Sequence, residues 1–311
     1  MMFGSIGADL PLLLSPDRGR SVMSVSFIGF GEAGLSIATS LEGNGMRAFD
    51  IKLSDPATES DMRRRIEDAG VTACDSAAAA VEGAEIVICV VTADQAANAA
   101  GLAARHLSQG SLWLDMNSCA PATKQIAAGP VTKAGAVYVD VAVMAPVGGR
   151  GHTTPMLAAA PNPETVAARL AATGLTPRFV GEEIGRASTI KMLRSVMVKG
   201  MEALTAECFR AAVRAGVADE VAGSLDASEK GLKWAEQTSY NLERMAAHGI
   251  RRAAEMREVA KTLRALEISP AMTTGTIAWQ EDMGHLDLTL EPGTALAQQM
   301  ELIEQAFTEK D

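Results

Sequence analysis

Through the first half of the chain, short apolar runs alternate with longer stretches of mixed, alanine-rich character. The runs at 25–28, 46–49, 85–91, 111–115, 137–144, 156–160 and 176–180 are too short for helices and read as strands. The run at 85–91, EIVICVV, is apolar on both faces, as a buried parallel strand is. Helical periodicity lies between them, up to about Leu41 and over 61–69, 76–82 and 94–106. Asn162, Pro163 and Glu164 mark a further helix start with cap, first-turn proline and first-turn acid. From about Gly185 onward the strands disappear. Helices are expected over 187–215, 218–237, 240–266, 273–283 and 294–308, with Pro270 dividing the third from the fourth. An α/β domain over 23–184 is therefore followed by an all-α domain over 185–311, joined by a long interdomain helix.

The stretch Val25 to Asp50 gives the α/β domain its chemistry. Gly29, Gly31 and Gly34 stand in the spacing G-x-G-x-x-G between the first strand and its helix. Gly29 permits the tight turn, Gly31 lets a pyrophosphate approach the backbone, and Gly34 lets the helix lie close to the strand. Free N–H groups over Phe30, Glu32 and Ala33 and the helix dipole would hold the phosphates. Asp50 closes the second strand where a carboxylate takes the ribose 2′-hydroxyl. The domain is thus expected to be Rossmann-type and to bind a dinucleotide. Lys52 lies near where a 2′-phosphate would sit, but the carboxylate of Asp50 repels that phosphate, so NAD is favoured over NADP. A βα turn without ligand is the alternative.

Polar residues at the C-terminal ends of parallel strands face the ligand crevice. Val91 and Thr92 end one such strand and are counted with the cofactor site. DMNSCAP, Asp115 to Pro121, ends the next, placing Asn117 and Ser118 to hydrogen-bond a substrate, with Asn117 also beside the cofactor; a plain helix cap before Pro121 is the other reading. After VYVDVAVM comes APVGGRGH, whose backbone around Gly148 and Gly149 could cradle an anion.

On the joining helix, Ser188, Lys191, Ser195, Lys199 and Glu202 fall within about 80° of one another. Ile190, Leu193, Val196, Met197, Met201 and Leu204 occupy the other faces. A helix apolar over most of its circumference is expected to be buried, with its polar stripe lining a cleft. A lysine there has a lowered pKa and can serve as general base or acid. A solvated face with two ordinary lysines is the alternative. His248, Arg251, Arg252 and Glu255 share one face of a later helix and suggest a contact to a carboxylate or phosphate, or again a solvated face.

Charge and cysteine content narrow the partners. A net charge of −10 argues against nucleic acid and anionic membrane. Cys74, Cys89, Cys119 and Cys208 form no C-x-x-C pair and no metal-ligand cluster, so reduced thiols, a cytoplasmic location and no metal site are expected. No apolar run is long enough to span a bilayer. Residues 1–22, with a short Leu10–Leu14 patch, read as a loosely held N-terminal extension.

These residues resemble the β-hydroxyacid dehydrogenases, which include 3-hydroxyisobutyrate dehydrogenase, tartronate semialdehyde reductase and the related 6-phosphogluconate dehydrogenase. The resemblance runs from about Met23 to the C-terminus. FIGFGEAG is similar to the family's nucleotide fingerprint, and DMNSCAP to its D-x-S-T-x-S-P segment. DVAVMAP, from Asp140, lies where the family has D-A-P-V-S-G-G. Met144, Ala145 and Pro146 replace serine-glycine-glycine, so Met144 stands at a substrate position without the hydroxyl and Gly148 and Gly149 take over the backbone role. Gly185 with Ile190-Lys191 is similar to the helix that carries the family's catalytic lysine, which implies that Lys191 is the acid/base. The asparagines usual three and four residues later are Arg194 and Ser195, departures that resemble a poorly characterised bacterial subgroup with its own C-terminal domain.

The resemblance implies reversible hydride transfer between NAD(P) and an alcohol carbon of a small hydroxy acid or related alcohol. Asn117 and Ser118 would orient the substrate, Ser195 would steady the alcohol or a water, and Lys199, His248 and Arg251 would complete the site. An imine or other carbonyl reductase, or a non-catalytic NAD(P)-sensing protein, are the other classes on this scaffold; Lys191 argues against both. Apolar faces of the helical half, with Met192, Met197, Met201, Phe209 and Leu232 as candidates, suggest a homodimer through that domain.

Overall fold

A computed structural model describes residues 23–41, 45–228, 231 and 233–310. The expected extension at 1–22 and Leu232 lie outside the described residues. Among the described residues, eight strands form one sheet: β1 (Val25–Ile28), β2 (Arg47–Phe49), β3 (Thr72–Ala73), β4 (Ile86–Cys89), β5 (Leu112–Asp115), β6 (Val137–Val143), β7 (Met156–Ala159) and β8 (Arg178–Phe179). Their order is β3-β2-β1-β4-β5-β6-β7-β8, parallel throughout except for the antiparallel β6–β7 pair. The order reverses between β1 and β4, the place where open α/β sheets keep a ligand crevice.

Helices cover both faces: α1 (Glu32–Ser40), α2 (Glu59–Asp68), α3 (Ala77–Val81), α4 (Ala96–Ala104), α5 (Pro121–Lys133) and α6 (Pro163–Ala171). Alternation along β1 feeds two cores. Phe27 packs with Ile37, Ile66 and Ile88 on one face, while Ile28 packs with Val87, Trp113 and Tyr138 on the other. Ser26 is buried among apolar neighbours, and its hydroxyl donates to Ala80 O at 2.7 Å.

The helical half consists of α7 (Arg186–Ala215), α8 (Ala218–Ser228), α9 (Trp234–Ala265), α10 (Ala271–Gly284) and α11 (Leu296–Lys310). The second and third helices divide earlier than their periodicity suggests, at Ser228 rather than 237, and α9 starts at Trp234 rather than 240. Gly231 at φ +103° sits in the break, where the Trp234 N–H donates to Asp226 Oδ1. α9 and α10 cross at Gly249 and Gly284, where a Cβ on Gly249 would stand 2.2 Å from Gln280 O. Met245, Met283, Met300 and Ile303 fill the bundle core. Among the described residues no helix is long and apolar enough to cross a membrane.

The long helix α7 is anchored to the sheet rather than merely leaning on it. Asp140, wholly buried in β6, accepts from the N–H of Gly185 (3.0 Å) and of Ser188 (3.1 Å) and from the Ser188 hydroxyl (2.6 Å). A carboxylate at a helix N-terminus satisfies orphan donors and complements the dipole. Gly185 also lies against α5, since a Cβ there would come within 3.1 Å of Pro121 Cβ.

α7 faces the opposite way from the sequence expectation. Its polar stripe is the buried one: Ser188, Ser195, Lys199 and Glu202 are all buried. Ile190, Leu193, Met197 and Leu204 are exposed, Met197 by 67%. The stripe can be buried because α9 and α10 bring it partners. Lys199 pairs with Glu255, and Glu202 takes Arg252 and Gln280.

Candidate active site

The glycine turn follows β1 directly. Gly29 has φ +88°, and its N–H donates to Phe49 O at 2.9 Å. A Cβ on Gly29 would meet Val90 O at 2.5 Å, and one on Gly34 would meet Gly29 O at 2.8 Å, so strand, turn and helix approach within backbone contact. Gly31, the N-cap of α1, has no neighbour within 4 Å of a Cβ and no side-chain cap. Open space lies in front of the helix N-terminus, as a dinucleotide requires.

Asp50 follows β2 and is nearly buried. Its Oδ2 accepts from Phe30 N–H at 2.7 Å and its Oδ1 from Lys52 N–H at 3.0 Å. The carboxylate thus braces the turn itself, and lone pairs remain on both oxygens for ribose hydroxyls. Val91 and Thr92 follow β4 in the adjacent strand position, with Val91 Cγ1 3.0 Å from the Cβ that Gly29 lacks.

The loop carrying Gly148 and Gly149 folds over α1. Ser36 donates to Val147 O at 2.8 Å, His152 N–H donates to Ser40 Oγ at 2.7 Å, and a Cβ on Gly148 would lie 4.0 Å from Glu32 Oε1. These two glycines therefore stand beside the nucleotide turn. Met144, half-buried at the end of β6, packs with Val180, Ala187 and Leu157.

Asn117 and Ser118 follow β5. The Asn117 amide donates to Asp115 Oδ1 (2.7 Å) and approaches Cys89 Sγ (3.4 Å), while its Oδ1 is buried without a partner. Ser118 Oγ is buried and unpartnered as well. Such orphaned groups are uncommon, and a bound ligand is one way to satisfy them. Beneath them lies a buried network. Lys124 Nζ donates to Asp115 O (2.6 Å) and Asp115 Oδ1 (2.8 Å) and lies 3.7 Å from Asp140; the Tyr138 hydroxyl donates to Asp115 Oδ2 (2.5 Å). Burial works against the Lys124 ammonium, but Asp115, Cys119 and Asp140 outweigh it and its pKa is raised. The sequence reading missed Lys124; its only signal is a lysine in the first turn of the helix that follows DMNSCAP.

Lys191 lies one turn past Ser188 on α7. It is half-buried, and its ammonium has no hydrogen bond or ion pair among the described residues. Burial pulls its pKa down to about 8; Glu255 opposes, while Lys199, Lys124 and Arg251 add repulsion. Lys199, two turns on, is committed elsewhere: it lies 2.8 Å from Glu255 Oε2 and donates to Ser195 Oγ at 3.4 Å. The Ser195 hydroxyl donates to Lys191 O at 2.9 Å. Burial raises the Glu255 pKa, but Lys199 and Lys191 prevail and bring it to about 2. Glu255, which the sequence placed only on a shared face, is thus the charge between the two lysines.

The α9 residues divide. Arg252 is buried against Glu202, whereas Arg251 is exposed and pairs with Glu255 at 3.3 Å. His248 is half-buried, and its pKa is lowered by burial and by Arg244, Arg251 and Arg252, against an opposing pull from Glu32 at the nucleotide turn. The structure so gathers Lys191, Lys199, Glu255 and Arg251 at the α7–α9 contact, and the charge of Lys124 reaches Lys191 from the sheet edge. The glycine turn, Asp50, Thr92, Gly148 and Asn117 lie along that same edge. Among the described residues, no three His, Cys, Asp or Glu side chains cluster as metal ligands.

Residues 24–166 match the NAD binding domain of 6-phosphogluconate dehydrogenase, and residues 212–283 match a domain of unknown function, DUF1932. A conserved hypothetical protein from Sinorhizobium meliloti 1021 is similar at 33% identity, over 92% of this chain and 97% of its own, with a TM-score of 0.73. The conserved protein MTH1747, of unknown function and described as structurally similar to 3-hydroxyacid dehydrogenases, is 31% identical over 85% of this chain and 97% of its own, with a TM-score of 0.65. A Mycobacterium tuberculosis 3-hydroxyisobutyrate dehydrogenase, solved with L-serine, superimposes with a TM-score of 0.69 at 16% identity, covering 91% of this chain and 99% of its own; that likeness is one of fold.

Proposed function

Since the chain belongs to the superfamily of the β-hydroxyacid dehydrogenases and 6-phosphogluconate dehydrogenase, in a branch with a variant C-terminal domain, we propose that it moves a hydride between a nicotinamide dinucleotide and the alcohol carbon of a small hydroxy acid or related alcohol, with Lys191 as acid and base. The fold and nucleotide-binding domain are those of an NAD(P)-dependent dehydrogenase. The residues fit the cofactor: the open face of Gly31 and the uncapped start of α1 suit its pyrophosphate, and the spare lone pairs of Asp50 suit the adenosine ribose of NAD. Bound nicotinamide supplies the hydride acceptor or donor.

The observation that carries the reading is Lys191: an amine without a partner among the described residues, its pKa brought down to about 8 by burial, near a sheet edge where two polar side chains are likewise unpartnered among those residues. In the oxidative direction neutral Lys191 takes the hydroxyl proton as the C–H hydrogen leaves with its electron pair, and the carbon becomes a carbonyl. In the reductive direction the ammonium returns that proton to the oxygen. Asn117 Oδ1 accepts from, and Ser118 Oγ donates to, the substrate's polar end. Lys199 holds Glu255 in place rather than binding substrate directly, and Ser195 orients the same turn of α7. Arg251 attracts an anionic group from the α9 side, and His248, held neutral by its lowered pKa, can donate a hydrogen bond to it. A second copy of the chain, covering Ile190, Leu193, Met197 and Leu204, would bury the apolar face of α7 in a homodimer.

A panel of hydroxy acids, plain alcohols, ketones and imines, followed by nicotinamide absorbance, tests this. Turnover confined to alcohols and their carbonyls, and abolished in Lys191→Ala, is the expected result. Turnover of imines alone, or NAD(P) binding with no turnover at all, would overturn it.

A further inference from the structure

We propose that Glu258 determines substrate specificity: its carboxylate fills the N-terminus of α5 and so restricts the substrate group that meets Asn117 and Ser118 to an uncharged polar one. The inference rests on the reading of the 115–121 loop as part of the substrate cleft.

Glu258 belongs to α9, in the helical half, and is only 6% exposed. Its Oε2 crosses to the α/β half, where it accepts from Ala120 N–H at 2.8 Å and faces the Thr123 hydroxyl at 3.5 Å. Its Oε1 accepts from Lys261 Nζ at 2.6 Å. Ala120 is the N-cap of a 13-residue helix and brings no side-chain acceptor of its own. The start of such a helix, at the crevice edge of a parallel sheet, is a place that attracts anions. Here the chain has supplied its own anion to that place, from 138 residues further along the sequence.

What remains open next to it is neutral. Asn117 Oδ1 and Ser118 Oγ, three and two residues ahead of Ala120, are buried atoms without a hydrogen-bond partner among the described residues. An incoming alcohol or amide can satisfy both. An incoming carboxylate would leave the Asn117 oxygen facing another acceptor and would stand beside the charge of Glu258, with the backbone donor of Ala120 already taken. A negative group on the substrate is thereby directed away from this loop, towards the exposed guanidinium of Arg251.

The test uses the full-length protein with NAD bound, and two readouts. The first compares kcat/KM for pairs built on one carbon skeleton, a hydroxy acid and its hydroxy amide or diol, presented so that the variable group meets the 115–121 loop. Wild type should favour the neutral member at least tenfold, and Glu258→Ala should erase that preference. The second measures melting temperature with acetate. Acetate should raise the melting temperature of Glu258→Ala, by filling the emptied helix end, and leave wild type unmoved. Equal acetate shifts in both proteins, or no shift in the variant, would overturn the proposal, as would unchanged discrimination. Should Glu258→Ala fail to fold, Glu258→Gln keeps an acceptor for Ala120 N–H without the charge; loss of discrimination in it supports the proposal and retained discrimination refutes it. Absence of turnover in wild type would fall on the dehydrogenase reading, and the acetate readout would still decide the role of Glu258.

Discussion

The ammonium of Lys199 lies 2.8 Å from Glu255 Oε2 across the contact between α7 and α9. Glu255 is also the group that most opposes the fall in the Lys191 pKa. Replacing it with glutamine removes that opposition and leaves Lys199 buried without its counter-ion. The midpoint of the pH–rate profile should move below about 8 in Glu255→Gln. The variant should also lose about 3 kcal/mol of stability, as broken buried pairs do. A pH–rate profile and a denaturant titration measure both.

Lys191 itself sets the sign of the pH dependence. With a folded pKa of about 8, the neutral base increases as pH rises through that value, so oxidation should accelerate there. Reduction needs the ammonium and should slow over the same interval. Lys191→Ala should cost roughly 10²–10⁴-fold in kcat, the usual contribution of a positioned acid or base. Its affinity for NAD(H), measured by calorimetry, should stay within about twofold, because the cofactor groups belong to other residues.

Asp50 has two duties in the structure, bracing Phe30 N–H and Lys52 N–H while presenting its free lone pairs. Asp50→Ala should weaken NAD binding at least tenfold by calorimetric titration. NADP binding should suffer less, because the repulsion of the 2′-phosphate goes with the carboxylate. Tighter binding of NADP than of NAD to wild type would refute the assignment of Asp50 to the ribose.

The exposed apolar face of α7 predicts an assembly. Met197→Glu or Leu193→Glu puts a charge among Ile190, Leu204 and their symmetry mates without touching the buried stripe. Wild type should scatter as a dimer and the variants as monomers with the same circular dichroism. A monomeric wild type would remove the proposal.

The nucleotide end of this protein is legible from sequence because its requirements are local. Gly29 needs a positive φ, Gly34 needs the absence of a Cβ, and both appear as spacing. The strands announce themselves as short apolar runs for the same reason. The facing of α7 is not local. Which of its sides is buried depends on Arg252, Glu255 and Gln280, some fifty to eighty residues away, and only their arrival offsets the desolvation that burying a polar stripe costs. Lys124 and Glu258 were hidden likewise: each acts through a partner on another element, and neither has a motif.

The anchoring of α7 by Asp140, with Gly185 set against Pro121, has a mechanical consequence. The first turn of that helix is tied to the middle of β6, so Lys191 rides on the same sheet as the turn at Gly29. The spacing between Lys191 and the nucleotide turn is then built into the sheet, like the fixed jaw of a vice. The bundle formed by α9 and α10 is clamped against that jaw, because Glu255, Arg252 and Glu258 tie α9 to Lys199, Glu202 and the backbone of Ala120.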